Sequence, residues 1–398
     1  MISSNQSNKC RPLWILFVGI STSFFAAGSR AEDRVAAPGA AVAAERTLVD
    51  QLGDDSYTVR ERAAAELLRR GFDSVPALEQ GCKHIDREVR YRCERLLVVM
   101  RDREQDRRLD TFLHNYDPKR TYNFPGWERF RQQFGDASPA RALFANMFAT
   151  EPDLLAGIDR GSKAITESLA TRGATLQQTL QAAQLGQGGQ ELSIGSIATL
   201  LFAASDEKVD IQPVFGQTIS QFLGQASFAN AIHSGGNKEI LRRLLASWFG
   251  RKEDWLLHYN MPLAMRYESK AALALAERGL RVAVGNSYIR QMAILMIIKF
   301  RDETRLPLVE RCLDDKTVYT NWPPKNNIMI QIQVRDIALA GLLLIHKQEP
   351  KDFGFEYLQL DQQMVLQANS AGFENEEKRA AAFAKWKEFR AAQKKIPG

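Results

Sequence analysis

The sequence predicts an all-α protein with helical hairpins at both ends, as in an α-α superhelix, and an irregular helical region in the middle. Three observations support this prediction: one helical pattern recurs near each end, apolar residues between the ends follow helical spacing, and clear strand patterns are absent. The 398 residues are 45% hydrophobic and 25% charged, which is close to the average for folded soluble proteins. This length suffices for two or three ordinary domains or for one elongated repeat array.

Four segments share one pattern, in which a β-branched residue and an arginine are followed by a small residue and then by a bulky apolar pair. The copies are Val59-Arg60 with Ala63, Leu67 and Leu68; Val89-Arg90 with Cys93, Leu97 and Val98; Ile289-Arg290 with Ala293, Ile297 and Ile298; and Val334-Arg335 with Ala338, Leu342 and Leu343. Positions i, i+4, i+8 and i+9 are expected on one helical face, and the small residue allows a neighbouring helix to approach closely. The first two copies are 30 residues apart.

A proline-bearing helix is predicted before two of these copies, at residues 75–79 and 306–310. Proline is tolerated in the first turn of a helix, where its missing N–H is not needed. Asp55 or Ser56, and then Asp86, are well placed to cap the helices that carry the pattern. Each unit is therefore expected to consist of a helix, a short turn and a capped helix.

At these residues the sequence resembles HEAT-like repeat proteins, an armadillo-type α-solenoid family, over about residues 45–103 and 265–350. It is also similar in general character to exported bacterial HEAT-repeat proteins of unknown function. The resemblance implies stacked helical hairpins with a protein-binding concave face, and it implies no chemistry. We therefore expect HEAT-like repeats at residues 45–103 and 251–350, an irregular helical region at 104–250, and a C-terminal capping segment at 351–398.

The middle of the chain has helical patterns without the repeated motif. Helices are expected around Trp127 to Phe134, at residues 165–185 and 192–204, and from Lys238 to Phe249. Aromatic residues at helical spacing in this region are interpreted as core, because such stripes usually pack inside a helical fold.

The N-terminus has the three parts of a secretory signal peptide: basic Lys9 and Arg11, an uncharged apolar run at 12–29, and small residues beyond it. We predict a signal peptide at residues 1–31, an Ala-rich flexible linker at 32–44, and a periplasmic or extracellular protein. The alternative is a retained membrane anchor, since the run of 18 residues lies at the lower limit of about 17–25 residues for a membrane span.

The charge of the chain does not favour a nucleic-acid partner. The formal net charge is +6, but residues 1–31 contain Lys9, Arg11 and Arg30 and no acidic residue. Removing them leaves 50 basic and 47 acidic residues, whereas nucleic-acid binding usually needs a concentrated basic face. The expected partner is a protein, and a membrane is expected only if the N-terminal segment is uncleaved.

The sequence predicts no catalytic residue, no cofactor site and no metal site. It has no CxxC pair, no HExxH and no GxSxG motif, and its five histidines are scattered. Cys82 and Cys93 could lie on neighbouring helices and form a disulfide. The alternative is that Cys82, Cys93 and Cys312 are small residues buried at helix contacts. A catalytic site assembled from distant residues remains a further alternative.

One insertion distinguishes the later repeats. The step from Pro76 to Val89 is 13 residues and the step from Pro307 to Val334 is 27, so about 14 extra residues lie near 317–330. Insertions in solenoids often lie on the binding face. The candidate interaction residues are Tyr319, Trp322, Pro323, Pro324 and Lys325. A tryptophan beside two prolines is stiff and apolar, as interface anchors tend to be; alternatively, Trp322 folds back over its own repeat.

The second candidate surface is a C-terminal helix at about residues 376–393, on which Phe383, Trp386 and Phe389 recur every three residues. A capping role is also expected for this helix, because the end of a solenoid must cover its apolar face. The sequence thus predicts an exported protein-binding or scaffold module. The alternatives are a membrane-anchored subunit of a cell-envelope assembly and an enzyme whose site is not visible in the sequence.

Overall fold

The computed structural model describes residues 38–185, 191–270, 273–323 and 328–394. The chain divides into two compact units, the first ending at Gln105 and the second beginning at Asp106. Helices dominate the described part of both units, and the all-α prediction is confirmed. The predicted signal peptide at residues 1–31 and the first residues of the predicted linker lie outside the described residues.

The described part of the first unit is built from four helices. They are α1 (Pro38–Gln51), α2 (Tyr57–Arg70), α3 (Val75–Gly81) and the first part of α4 (Arg87–His114). The structure places residues 38–44, which the sequence assigns to a flexible linker, in α1. The segment is rich in alanine, which has the highest helix propensity, and its proline stands in the first turn, where proline is tolerated.

Residues of the repeated pattern form the core of the first unit. Ala63 and Leu67 of the first copy are buried, as are Val89, Cys93 and Leu97 of the second copy. The last position of the pattern was expected on the same face, but Val98 is 55% exposed. Position i+9 lies about 100° further around the helix than position i+8, so it is buried only where another element packs on that side of the helix.

The arginine of the pattern makes equivalent hydrogen bonds in these two copies. The bonds run from Arg60 Nη1 to the carbonyl oxygens of Asp54 (2.6 Å) and Asp55 (3.0 Å), and from Arg90 Nη1 to those of His84 (2.7 Å) and Ile85 (2.9 Å). In both copies the acceptors lie six and five residues before the arginine. Each arginine therefore fastens the turn between two helices and fixes where the second helix begins.

After the end of α4, the second unit continues with a group of helices, one of which is buried among the others. They are α5 (Trp127–Phe134), α6 (Ser138–Thr150), α7 (Pro152–Arg160), α8 (Ser162–Gln184), α9 (Ile194–Ala204), α10 (Pro213–Leu223), α11 (Ala226–Ser234) and α12 (Lys238–Phe249). Every residue of α9 from Gly195 to Ala204 is buried, and helices α6 to α8 and α10 to α12 all contact it. A helix that is apolar on all sides is buried in this way. The predicted helix from Lys238 to Phe249 coincides with α12.

The aromatic residues between the ends of the chain are core residues, as predicted. The ring of Phe112 packs edge-on against Trp127 with 4.7 Å between centroids, and Trp127 contacts Phe144 at 5.0 Å. All three side chains are buried. This cluster joins the end of α4 to α5 and α6.

The later part of the second unit contains the remaining helices and two small sheets within the described residues. The elements are α13 (Leu257–Arg266), α14 (Leu273–Val282), α15 (Ser287–Phe300), α16 (Leu306–Arg311), β1 (Val318–Trp322), β2 (Ile330–Gln333), α17 (Val334–Ile345), β3 (Leu360–Asp361), β4 (Val365–Leu366) and α18 (Glu376–Lys394). Pro307 stands in the first turn of α16, as predicted. A single hydrophobic core extends from Phe112 to Trp386. The predicted boundaries at residues 250 and 350 therefore do not separate cores.

Every apolar position of the last two pattern copies is buried, and these copies lie on α15 and α17, which pack together. Their small residues are Ala293 and Ala338, both fully buried. Gly341 on α17 also permits the close approach, because a Cβ atom there would lie 2.8 Å from Ile298 Cγ1. The pattern therefore indicates a helix contact in each copy.

The inserted segment near residues 317–330 contains a β-hairpin rather than only a loop. Strand β1 pairs with β2 in antiparallel register, with Trp322 opposite Ile330 and Thr320 opposite Ile332. Ile330 and Ile332 are fully buried and point to the same side of the strand. β-branched residues at alternate positions, such as these two, are typical of a half-buried strand. No strand was predicted from them in the sequence.

We predict that Arg90→Gln lowers the local free energy of unfolding around α3 and α4 by about 1–3 kcal/mol, because two turn carbonyls lose a charged donor. Hydrogen exchange of peptides from residues 75–100 measures this change. Arg62→Gln is the matched control, since Arg62 is exposed and makes no hydrogen bond or ion pair in the described part of the chain. Equal protection in the two variants would contradict the prediction.

Candidate functional site

The candidate site begins at the N-terminus of α17, which has a capping box. The backbone N–H of Asp336 donates to the Gln333 side chain, and the Asp336 carboxylate accepts from the Gln333 backbone N–H at 2.9 Å. This bond turns the Asp336 side chain back towards the start of the helix. The side chain is completely buried there, which leaves its negative charge without water.

Arg379 on α18 supplies the opposite charge. Its Nε donates to both carboxylate oxygens of Asp336, at 3.0 and 3.2 Å, and the arginine is only 2% exposed. Its Nη2 donates to the carbonyl oxygen of Gln331 in β2 at 2.9 Å, and its Nη1 pairs with Glu376 in the first turn of α18. One guanidinium therefore fixes α18 against α17 and the hairpin.

Burial raises the pKa of Asp336 to about 6, and the neighbouring Arg379 opposes this rise only in part. The unfolded chain has an ordinary aspartate pKa of about 3.9. Between these two values the folded protein binds more protons than the unfolded chain. The contribution of this carboxyl to stability is therefore complete below about pH 4 and is lost as the pH rises through 6.

Helix α18 forms one wall of a groove with a volume of 670 Å³, and the segment that joins α16 to α17 lies on the other side. The apolar lining residues are Leu313, Ala380, Phe383, Ala384, Trp386 and Ala391. Two ion pairs of 2.7 Å connect α18 to its neighbours, Arg335 with Glu376 and Arg390 with Glu310. The groove therefore has an apolar floor held between charged residues.

The charges that line the groove are unequal. Its basic residues are Lys316, Arg335, Arg379, Lys387 and Arg390, and its acidic residues are Glu310, Asp314 and Glu376. Ion pairs neutralise the three arginines, whereas Lys316 and Lys387 are exposed and have no ion-pair partner among the described residues. Asp314 is likewise exposed and has no ion-pair partner among the described residues, so the unpaired charges of the groove are two lysines and one aspartate, a net charge of +1.

A histidine packs against the groove residue Trp386, and its surroundings disfavour protonation. Burial lowers the pKa of His346, and the Arg390 guanidinium lowers it further. Nη1 of Arg390 lies 3.2 Å from Nε2 of His346, so this ring nitrogen is the acceptor and the proton is assigned to Nδ1. The ring also packs 5.5 Å from Trp386 between centroids, which supports the floor of the groove.

The structure separates the two surfaces that the sequence predicted. Phe383 and Trp386 of the C-terminal helix line the groove. Tyr319 and Trp322 lie on β1 and are partly buried against the core of the second unit, so Trp322 folds back towards its own unit. Pro323 is exposed. Neither Tyr319 nor Trp322 lines the groove, and Pro324 and Lys325 lie outside the described residues.

Sequence reasoning missed the buried pair of Asp336 and Arg379, which positions the groove. A signal was present, because Gln333 and Asp336 have the spacing of a capping box at the start of a predicted helix. The partner could not be identified in the same way, since Arg379 is 43 residues further along the chain. It is one of several charged residues on an amphipathic helix.

The three cysteines within the described residues are free, and burial favours the protonated form of their thiols. Cys82 is half-buried and Cys93 and Cys312 are buried. Burial raises the pKa of Cys93 to about 12, and burial also raises the pKa values of Cys82 and Cys312. A protonated buried thiol is a poor nucleophile, so these residues act in packing in this structure.

Within residues 38–185, 191–270, 273–323 and 328–394, no group of three or more histidine, cysteine, aspartate or glutamate side chains is arranged to hold a metal ion. None of the helices in these ranges is both long enough and apolar enough to cross a membrane.

No family model matches the chain, and no curated protein or solved structure matches it. The HEAT-like assignment therefore remains a prediction that depends on the four pattern copies and on the equivalent bonds of Arg60 and Arg90.

We predict that Arg379→Met lowers the free energy of unfolding by about 3–5 kcal/mol, because it leaves the Asp336 carboxylate buried without its partner. Hydrogen exchange of residues 376–394 should show early release of α18. Adding Asp336→Leu should recover much of the loss. Lys378→Met on the same helix is the control and should cost under about 1 kcal/mol, since Lys378 makes only surface ion pairs.

A second prediction concerns pH. The stability advantage of the wild type over Asp336→Asn should decrease between about pH 4 and pH 6, because only the wild type has a carboxyl that prefers to be protonated when folded. Urea unfolding at several pH values measures this difference. An advantage that grows with pH would show that the attraction of Arg379 outweighs the loss of hydration.

Proposed function

We propose that the protein is a binding or scaffold module that acts outside the cytoplasm and recognises a partner protein through the α18 groove. The observation that carries this proposal is the combination of an apolar floor with two unpaired lysines, which outnumber the one unpaired carboxylate, Asp314. The partner segment we propose is an acidic, amphipathic stretch of polypeptide. Its apolar side chains would contact the floor, and its carboxylates would meet Lys316 and Lys387.

The lining residues of the groove have the composition of a protein interface. Aromatic residues and arginine are enriched at the energetic centres of such interfaces, and this groove contains Phe383, Trp386 and three arginines. Phe383 is partly exposed, so it can lose further accessible surface on binding. The volume of 670 Å³ is large enough for several side chains of a bound segment.

The two lysines give the groove its preference for an acidic partner. Lys316 lies just before β1, and Lys387 lies on α18. Because the arginines already pair with carboxylates of the protein, a partner does not need to displace them. Charge complementarity at the edge of an interface mainly affects the rate and selectivity of association.

The groove is formed before a partner binds. The pairs of Arg335 with Glu376 and Arg390 with Glu310 join α18 to α17 and α16, and Arg379 is buried beneath them. A surface that is already ordered loses less conformational entropy on association. This supports a role as a fixed docking surface rather than a segment that folds on binding.

The proposed location rests on the signal-peptide pattern of residues 1–31. A membrane-anchored subunit of a cell-envelope assembly is the second candidate, because the uncharged run at 12–29 has the minimum length of a membrane span. Mass spectrometry of the mature protein distinguishes the two. A chain that begins near Glu32 has no anchor, whereas a chain that retains residues 1–31 supports the anchored subunit.

A photo-crosslinking amino acid at Ala384 tests the groove directly, because Ala384 is exposed and lines it. In cells, this variant should crosslink to a specific protein, and mass spectrometry should place the crosslink in an acidic, amphipathic segment. The matched control is the same substitution at Ala381, which is exposed on the same helix and does not line the groove. Equal crosslinking at both positions, or crosslinks only to basic segments, would sink the proposal.

The charge prediction is then tested with the purified partner segment. Lys316→Glu with Lys387→Glu should weaken binding by about tenfold or more, since attraction is replaced by repulsion. Lys163→Glu with Lys238→Glu makes the same change in net charge at exposed positions outside the groove. The control pair should bind like the wild type, and fluorescence anisotropy measures both.

A further inference from the structure

A second cavity, with a volume of 400 Å³, includes Tyr319 of the inserted hairpin in its lining and shares no lining residue with the groove. Its polar lining includes Tyr288 and Gln291 of α15, Tyr319 of β1 and Asp361 of β3. Leu295 and Met364 contribute apolar surface. The inserted hairpin therefore contributes Tyr319 to the lining of an open cavity over α15.

Gln291 presents an unpaired acceptor in this cavity. The side chain is 3% exposed, and its Oε1 has no hydrogen-bond partner in the described part of the structure. Buried polar atoms are nearly always paired, because an unpaired one loses its bonds to water without replacement. A buried carbonyl oxygen that lines a cavity is therefore available to a donor from a bound molecule.

The two tyrosines add further polar atoms and aromatic faces. Neither hydroxyl makes a hydrogen bond with the described residues. Burial raises the pKa of Tyr288 and that of Tyr319, and the electrostatic effect of Tyr319 raises the pKa of Tyr288 further. Both hydroxyls are therefore neutral, and their rings offer the electron-rich faces that attract cations.

Asp361 is the charged residue among the described lining residues of the cavity, and no lysine or arginine lines it. Its Oδ1 accepts from the backbone N–H groups of Gln363 (2.8 Å) and Met364 (2.6 Å). These bonds hold the carboxylate in one orientation. The amides of Gln367 and Asn369 also line the cavity and can donate or accept, so the single charge, which is negative, is what disfavours anions and favours a cationic donor.

The wall that carries Asp361 is held in place independently of any ligand. Lys299 on α15 donates through Nζ to the carbonyl oxygens of Gln363 (2.8 Å) and Met265 (3.1 Å). These bonds connect the turn between β3 and β4 to α13 and α15. The cavity is thus preformed, which lowers the entropic cost of binding.

We propose that this cavity binds a primary ammonium group carried on an apolar body. An ammonium has three donors and no acceptor, which matches the Gln291 carbonyl, the tyrosine hydroxyl oxygens and the Asp361 carboxylate. The tyrosine rings attract the cation and the Leu295 and Met364 side chains contact the apolar body. A free arylalkylamine and the lysine side chain of a polypeptide share this chemistry.

The test is a calorimetric titration of the full-length protein with three probes. Phenethylamine represents a free amine, N-acetyl-lysine methylamide represents a peptide side chain, and phenylpropionate is the anionic control of similar shape. At least one amine should bind about tenfold or more tightly than phenylpropionate. The tighter of the two amines identifies the source. Equal binding of the anion, or no binding of either amine at millimolar concentrations, overturns the proposal.

Two variants test the assignment of atoms. Gln291→Leu should abolish most amine binding while leaving the thermal unfolding midpoint unchanged or higher, since it removes an unpaired buried oxygen. Asp361→Asn should weaken amine binding by about tenfold while retaining the turn. The control Asp352→Asn changes an exposed carboxylate outside the cavity and should bind like the wild type. Unchanged binding in both cavity variants contradicts the assignment.

Discussion

The guanidinium of Arg379 joins three elements that are distant in sequence, namely the capping box of α17, the inner strand of the inserted hairpin and the first turn of α18. A buried ion pair of this kind adds little net stability compared with apolar residues of the same volume, because both charges lose their hydration. Its effect is instead on how these three elements are positioned relative to one another. The Asp336 carboxylate accepts this guanidinium in one orientation, and that orientation, with the ion pairs of Arg335 and Arg390, fixes where α18 lies and so shapes the groove.

Arginine has a similar structural use elsewhere in the chain. Arg60 and Arg90 bind turn carbonyls in the first unit, and Arg251 in the second unit is 5% exposed and donates to the carbonyl oxygens of Ala204 and Val209. The last carbonyls of a helix lack intrahelical donors, and the planar guanidinium can satisfy several at once. Many of the positive charges therefore act inside the fold, which explains how a chain rich in arginine has a groove whose unpaired positive charges are lysines.

The two candidate sites have net unpaired charges of opposite sign, and both are formed partly by elements that are not part of the repeated pattern. The groove has unpaired lysines, whereas the cavity over α15 has acceptors and a carboxylate. Both are bounded by elements added to the repeated pattern, α18 in one case and the hairpin of β1 and β2 in the other. The pattern helices α15 and α17 provide a rigid base, and the added elements carry the exposed polar groups, as is common for binding sites on regular scaffolds.

The sequence by itself determined the helical class, the buried stripe of each pattern copy and several helix boundaries, such as Lys238 to Phe249, because these depend on contacts within one helix or between adjacent ones. It did not determine the hairpin near Tyr319 or the exposure of Val98. Only the tertiary structure decided that Arg379 faces Asp336 and that the Gln291 carbonyl lines a cavity. Such pairings depend on how helices far apart in the chain pack, and a periodic pattern contains no information on which charged residue of an amphipathic helix becomes buried.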